Sequence, residues 1–239
     1  MVLYRDEAIV LRTYKLGEAD RIVNFYSRGR GKIRAVAKGV RRTKSKFGSL
    51  LEPASIVSLQ LYEGRNLDIV TQAERKVPLV AARSDLELFS KLSTVLEVVD
   101  QIGIEGESNT ALYKLTVGAA TELDRTKNGL VVTAFIAKML TLEGVQPVVD
   151  RCVVCGIAGP LVAFALHEGG TLCGACRRGH QLSDEARRCL AAIFQGRVRH
   201  VLDTTPPDVA LELQTLSAGI VEQHLERRLK SQDVLNNVK

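Results

Sequence analysis

Near residue 80 the hydrophobic pattern changes period, and that break limits what the chain can fold into more than any other feature. Before it, β-branched and aromatic residues recur in short runs separated by glycine turns. The runs are "YRDEAIVLRTYKL", "ADRIVNFYS", "KIRAVAKGV" beyond an "RGRG" turn, "SIVSLQLYE", and, after "GRN", "LDIVTQAER". Alternation of apolar and polar residues is the mark of a strand with one face in a core. Five such strands in so short a stretch predict a small, partly closed barrel of the OB architecture, whose faces and loops commonly hold oligonucleotides.

From Asp85 onward the period becomes helical. Leu86, Phe89, Leu92, Val95, Leu96 and Val99 fall on one stripe, and residues 109–123 continue the helical pattern. "NGLVVTAFIAKMLTLEG" is apolar nearly all round, which predicts a central buried helix ending at Gly144. Ser183 and Asp184 are placed to cap "EARRCLAAIF", Pro206 and Pro207 lead a last helix, and "KSQDVLNNVK" reads as a fraying tail. The expected class is therefore α+β and multidomain: a barrel over residues 1–80, then a helical domain over 81–239 with an insert near 149–181.

Charge is distributed unevenly between these halves. Sixteen cations face eight acids in residues 1–80, whereas 17 face 19 in the remainder. The excess concentrates further, because Arg28, Arg30, Lys32, Arg34, Lys38, Arg41, Arg42, Lys44 and Lys46 occur with no acid among them. Lysine-rich turns are often only a solvated face. A tract this dense repels itself unless something negative answers it, and a local basic patch is the electrostatic footprint of nucleic-acid binding.

The insert carries the second chemical signal. Cys152 and Cys155 form one C-x-x-C pair, Cys173 and Cys176 another, with seventeen residues between the pairs. Each pair can bend into a knuckle that presents two thiolates, Gly156 and Gly174 supplying turns, and two knuckles complete a tetrahedral zinc site. Four thiolates close the coordination shell, so the expected Zn2+ is a single structural ion with no open position for substrate. His167 and His180 are nearby but read as surface residues. Cys189 falls within a helical pattern and reads as a core thiol.

Several function classes lack support. No apolar stretch reaches the roughly 18 residues that span a bilayer, and the N-terminus shows no basic-then-apolar signal, which predicts a cytoplasmic protein. "GRGK" lacks the serine or threonine and the helix of a phosphate-binding loop, and neither a G-x-S-x-G elbow nor an H-E-x-x-H helix occurs. No catalytic residue is expected.

"MVLYRDEAIVLRTYKLGEADRIVNFYSRGRGKIRAVAKGVRRTKSKFGSLLEPAS", then "QLYEGRNLDIVTQAE", then a helical stretch holding both C-x-x-C pairs, resembles the RecO family of bacterial DNA repair and recombination mediators. The resemblance covers essentially the whole chain, and "AKGVRRTKSKFGSLLEP" is its most specific part. It implies an N-terminal OB domain, a helical domain and an inserted zinc module. It also implies non-enzymatic work in the cytoplasm, at the nucleoid: binding single- and double-stranded DNA, annealing complementary strands, and acting with RecR to help RecA load on DNA covered by single-strand-binding protein, whose acidic C-terminal tail is a further partner. Some family members lack the cysteines, so the metal is expected to serve the fold.

On that reading the nine cations pair with phosphates and release condensed counterions, giving affinity without sequence specificity. Lys38, Arg41, Arg42, Lys44 and Lys46 are the first candidates, with Arg28, Arg30, Lys32 and Arg34 around them. Phe47, Tyr26 and Tyr14 are either base-stacking residues or barrel core. Two rival readings are a zinc-containing transcription or RNA-binding factor and a nuclease.

Overall fold

A computed structural model describes residues 2–231. Five strands, β1 (Leu3–Leu16), β2 (Asp20–Ser27), β3 (Gly31–Ala37), β4 (Ile56–Tyr62) and β5 (Asp68–Val77), close into a barrel in the order β1-β2-β3-β5-β4. The long β1 serves two neighbours. Leu3 to Ile9 pair antiparallel with β4, Ala8 to Leu16 pair with β2, and an irregularity between Val10 and Arg12 bends the strand between them. Closure is made by a short parallel pairing of β3 with β5, Ala35 opposite Asp68 and Val36 opposite Ile69. This is the five-stranded OB barrel.

Alternation selects its interior. On β3, Ile33, Ala35 and Ala37 are buried, whereas Lys32 and Arg34 point outward. With Ala8, Val10, Val23, Phe25, Val57, Leu59 and Leu61 they form the barrel core. Gly31, between two cations at the start of β3, holds φ +63°, and a Cβ there would lie 1.9 Å from the Glu107 carbonyl oxygen. Only glycine fits, because the segment after residue 103 pairs along this edge: Lys32 N–H donates to the Ile104 carbonyl at 3.0 Å.

Among the described residues seven helices follow: α1 (Ala81–Ser84), α2 (Leu86–Ile102), α3 (Thr110–Thr126), α4 (Leu130–Leu142), α5 (Asp184–Phe194), α6 (Val198–Thr204) and α7 (Pro207–His224). Side-chain caps start three of them. Asp85 accepts from Leu88 N–H at 3.0 Å, Asn109 from Leu112 N–H at 2.9 Å and Ser183 from Ala186 N–H at 3.1 Å. On α2, Leu92, Val95, Leu96 and Val99 are buried as expected, but Leu86 is exposed, because it lies in the first turn ahead of the packed stretch. The apolar α4 buries residues on every side, from Leu130 through Leu140, and packs against α5, α6 and α7. Between α4 and α5 a three-stranded sheet, β6 (Leu161–Ala165), β7 (Gly170–Cys173) and β8 (His180–Gln181), builds the insert in the order β7-β6-β8.

By compactness the described chain forms two units. One holds the barrel, α1, α2, α3 and Ser231; the other is Asn128–Lys230. In the first, α2 lies against β1, and its buried Asp100 binds Arg12 of β1 while the Lys32 ammonium donates to the Asp100 carbonyl at 2.7 Å. The expected C-terminal tail lies mostly outside the described residues. No described helix is long and apolar enough to cross a membrane.

Candidate nucleic-acid interface and metal centre

The cations of the tract occupy two settings. Lys38, Arg41, Arg42, Lys44 and Lys46 belong to the loop that leaves β3, and all five are exposed. The loop is fastened by its apolar residues, since Val40, Phe47 and Leu51 are buried in the barrel core. Its backbone is fastened as well: Gly39 N–H donates to Asp20 at 2.7 Å, Arg41 N–H to the Ala19 carbonyl at 2.9 Å and Ser45 N–H to the Arg42 carbonyl at 2.9 Å. With apolar residues turned inward, the intervening cations are left on the outer surface of the loop. Arg41 and Lys46 reach back to the Gly17 and Thr71 carbonyls, at 3.2 and 2.8 Å, whereas Lys38, Arg42 and Lys44 have no side-chain partner among the described residues.

The other four cations sit on or beside β3. Arg34 is exposed and likewise unpaired among the described residues. Arg28 lies 3.8 Å from Glu7, and Arg30 lies 3.8 Å from Glu63 with its guanidinium 3.9 Å from the Tyr4 ring centre. Lys32 is largely committed to Asp100, which is 7% exposed. Arg34, Lys38, Arg42 and Lys44 therefore carry charge that no acid among the described residues answers. Of the aromatic candidates, Tyr26 and Phe47 are buried and belong to the fold, whereas Tyr14 is exposed and accepts a hydrogen bond from Arg12 at 3.1 Å.

In the insert, Cys152, Cys155, Cys173 and Cys176 bring their sulfurs within 4.8 Å of one another. All four are free thiols, and Cys155 and Cys173 lie 3.7 Å apart. That is far too long for a disulfide and close to the roughly 3.8 Å edge of a tetrahedron with metal–sulfur bonds of about 2.3 Å. The first knuckle turns at Gly156, φ +76°, where Gly156 N–H donates to the Cys152 carbonyl at 2.8 Å. Gly174 lies in the turn of the second knuckle as expected, without a positive φ: Cys176 N–H donates to the Cys173 carbonyl at 3.2 Å. This turn follows β7, which ends on Cys173 and packs it with Cys152, Leu161, Ala163 and Leu172 in a small core.

The thiols also perturb one another. Burial works against ionisation of Cys152, but hydrogen bonds from the backbone of Cys155, Cys173 and Val154 outweigh it and bring the thiol down to about 6. Its neighbour Cys176 is pushed up to about 12, chiefly by the Cys155 and Cys173 side chains and then by burial. Thiols at Cys155 and Cys176 that resist ionisation would be drawn into thiolate form by a cation, and these residues fit a metal ion held by four sulfurs. His167 and His180 are not part of the cluster, and Cys189 lies near Thr205, 3.6 Å between their side-chain atoms.

Comparison with known proteins matches residues 1–77 to the family "Recombination protein O N terminal" and residues 83–233 to "Recombination protein O C terminal". The chain belongs to the RecO family. Similar relatives include the "DNA repair protein RecO" of Cutibacterium acnes, 39% identical over 98% of this chain and 99% of that protein. Proteins of the same name from a Nocardioides species and from Streptomyces coelicolor are 41% and 38% identical, covering 96% and 97% of this chain and 98% of each relative.

The two RecO matches divide near residue 80, where the hydrophobic period changes, while compact packing groups α2 and α3 with the barrel. The contact of Arg12 and Lys32 with Asp100 is a part of this RecO barrel surface that sequence reasoning missed. No local pattern marks it, since Lys32 and Asp100 are 68 residues apart. It separates a cation engaged by the fold from cations left to solvent.

Proposed function

We propose that this RecO-family chain is a non-enzymatic mediator of DNA repair and recombination. It binds single- and double-stranded DNA without sequence specificity, anneals complementary strands, and with RecR assists RecA loading on DNA coated by single-strand-binding protein. The observation that carries the reading is the exposed set Arg34, Lys38, Arg42 and Lys44, unanswered by any acid among the described residues, on a loop and strand fastened to an OB barrel. Such a set grips phosphates and reads no bases, as suits a protein that must act on any sequence. The remaining cations of the tract, Arg28, Arg30, Lys32, Arg41 and Lys46, add to the same field from partly engaged positions.

The four-cysteine cluster holds one structural Zn2+, in keeping with a closed all-sulfur donor set. The acidic tail of single-strand-binding protein docks on the helical unit. A groove of about 430 Å³ between α5 and α6 supports this assignment, because it joins Ala191, Ala192 and Val201 with Arg188, Arg197 and His200.

The deciding experiment is annealing of complementary strands coated with single-strand-binding protein, with and without this protein. Acceleration that is independent of sequence is the expected result. Unchanged annealing, or cleavage of labelled DNA in the presence of divalent metal, would overturn the reading.

A further inference from the structure

A second pair of cations lies apart from the tract, where β5 leaves the barrel. A cleft of about 240 Å³ is walled there by residues 77–80 and floored by Ala54 and Ser55, with Arg75 and Arg83 on it. Arg83 donates to Ser55 Oγ at 2.5 Å and to the Pro53 carbonyl at 3.4 Å, and Arg75 donates to Ser49 Oγ at 3.1 Å. Neither guanidinium forms an ion pair among the described residues. Burial and then the charge of Arg75 hold the Arg83 guanidinium below its ordinary value; Glu52 opposes this, but its carboxylate is engaged by Arg21 at 2.8 Å. Two like charges kept together with only neutral partners cost free energy that an anion would recover.

The rest of the cleft is apolar. Val77, Pro78, Leu79 and Val80 line it, and Val80 is 70% exposed beside the two arginines. An occupant that satisfies both parts carries a negative group on a flat or apolar body. The cleft is also continuous with the cationic loop. That loop meets β5 at Thr71 through Lys46 and again at Arg75 through Ser49, a step of four residues, or about 13 Å of strand.

We propose that the cleft between Arg75 and Arg83 is a nucleotide subsite, taking a backbone phosphate of single-stranded nucleic acid on its guanidiniums and the attached sugar or base against Pro78 and Val80. The assignment rests on the nucleic-acid binding proposed above. Paired bases cannot enter such a cleft without leaving their stack, so the subsite favours single strands over duplex.

The test is fluorescence anisotropy with the full chain, using an oligothymidylate of about 16 nucleotides, the upper end of the span one OB barrel covers, and a blunt duplex. Two variants are compared, Arg75→Gln/Arg83→Gln and Val80→Asp. The second replaces an exposed side chain, keeps the arginines and brings a negative charge to the rim, so it reports on the cleft even where the first folds poorly. Both are expected to weaken single-strand binding about tenfold, the loss typical of one stacked base, while duplex affinity stays within about twofold. The single-strand salt slope should become shallower by about 0.7 for the lost phosphate. Wild-type affinity in both variants, with loss in a Lys38, Arg42 and Lys44 alanine variant, overturns the subsite and leaves the DNA-binding reading standing. Absence of any binding by the wild type overturns both. An acidic peptide that binds the wild type and not Val80→Asp, without competing with the oligonucleotide, assigns the cleft to a protein and overturns the nucleotide.

Discussion

Cys155 and Cys173 hold their sulfurs 3.7 Å apart across two turns of chain that lie seventeen residues from each other in sequence. Four sulfurs this close present the donor set of a single metal ion. We expect one equivalent of zinc in protein purified without chelator, retained less well as pH falls because each thiol must lose its proton to bind as thiolate. Cys173→Ser should unfold the insert, given the roughly 10 to 16 kcal/mol of apparent binding free energy seen for structural zinc in finger peptides, while DNA affinity of the barrel stays largely intact. Metal analysis together with thermal melting checks this. Less than about half an equivalent of zinc with normal melting would refute it.

Lys38, Arg42 and Lys44 have no side-chain partner to lose among the described residues. Replacing all three with alanine should therefore leave stability nearly unchanged, with surface substitutions usually within about 0.5 kcal/mol each. Affinity should fall alike for every sequence, and the duplex salt slope should become shallower by about 2 to 3 units if each touches a phosphate. An unchanged slope in the folded variant would show that the loop is only a solvated face.

Asp100 behaves in the opposite way. It is buried, one of its oxygens has no hydrogen-bond donor, and it answers both Arg12 and Lys32. Asp100→Ala should cost about 1 to 3 kcal/mol, below the full penalty for a broken buried pair because Arg12 is partly solvated. The denaturant midpoint measures it. DNA affinity per folded molecule should not fall, since the change removes the carboxylate beside Lys32 and leaves its bond to the backbone carbonyl of residue 100 in place.

Gly31 separates effects of shape from effects of charge within the tract. Gly31→Ala adds no charge, but its methyl collides with the Glu107 carbonyl at a left-handed backbone position. A loss of about 2 kcal/mol or more is expected from strain and the displaced segment. Equal midpoints for variant and wild type in urea would contradict the close approach.

The groove between α5 and α6 is open to a direct trial. A peptide ending in the acidic tail of single-strand-binding protein should bind the full chain, and Arg197→Glu should reduce that affinity about tenfold by placing like charge in the groove. Calorimetric titration reads both. Binding that is indifferent to Arg197→Glu would place the peptide elsewhere.

Much of the fold is local and therefore legible in the chain. Five strand runs, the change of period near residue 80, the capping role of Ser183, and the two C-x-x-C pairs each depend on residues within a turn or two of one another. Local sterics, alternation and spacing are enough to set them. The excess of positive charge in one stretch is equally a property of sequence.

What each cation does is not. Lys32 and Arg34 occupy equivalent outward positions on β3, yet one is taken up by Asp100 of α2 and the other is left to solvent, because only the packing of that helix against the barrel brings an acid to one of them. Tyr26 and Phe47 are buried and Tyr14 is not for a similar reason: the neighbours that cover a side chain come from distant segments. The cleft at Arg75 and Arg83 also forms only when β5, the turn at residues 53–55 and the entry to α1 meet. Sequence determined how much charge and which ligands the chain carries; closure of the barrel and docking of α2 decided which charges remain free, since desolvation and pairing act through space.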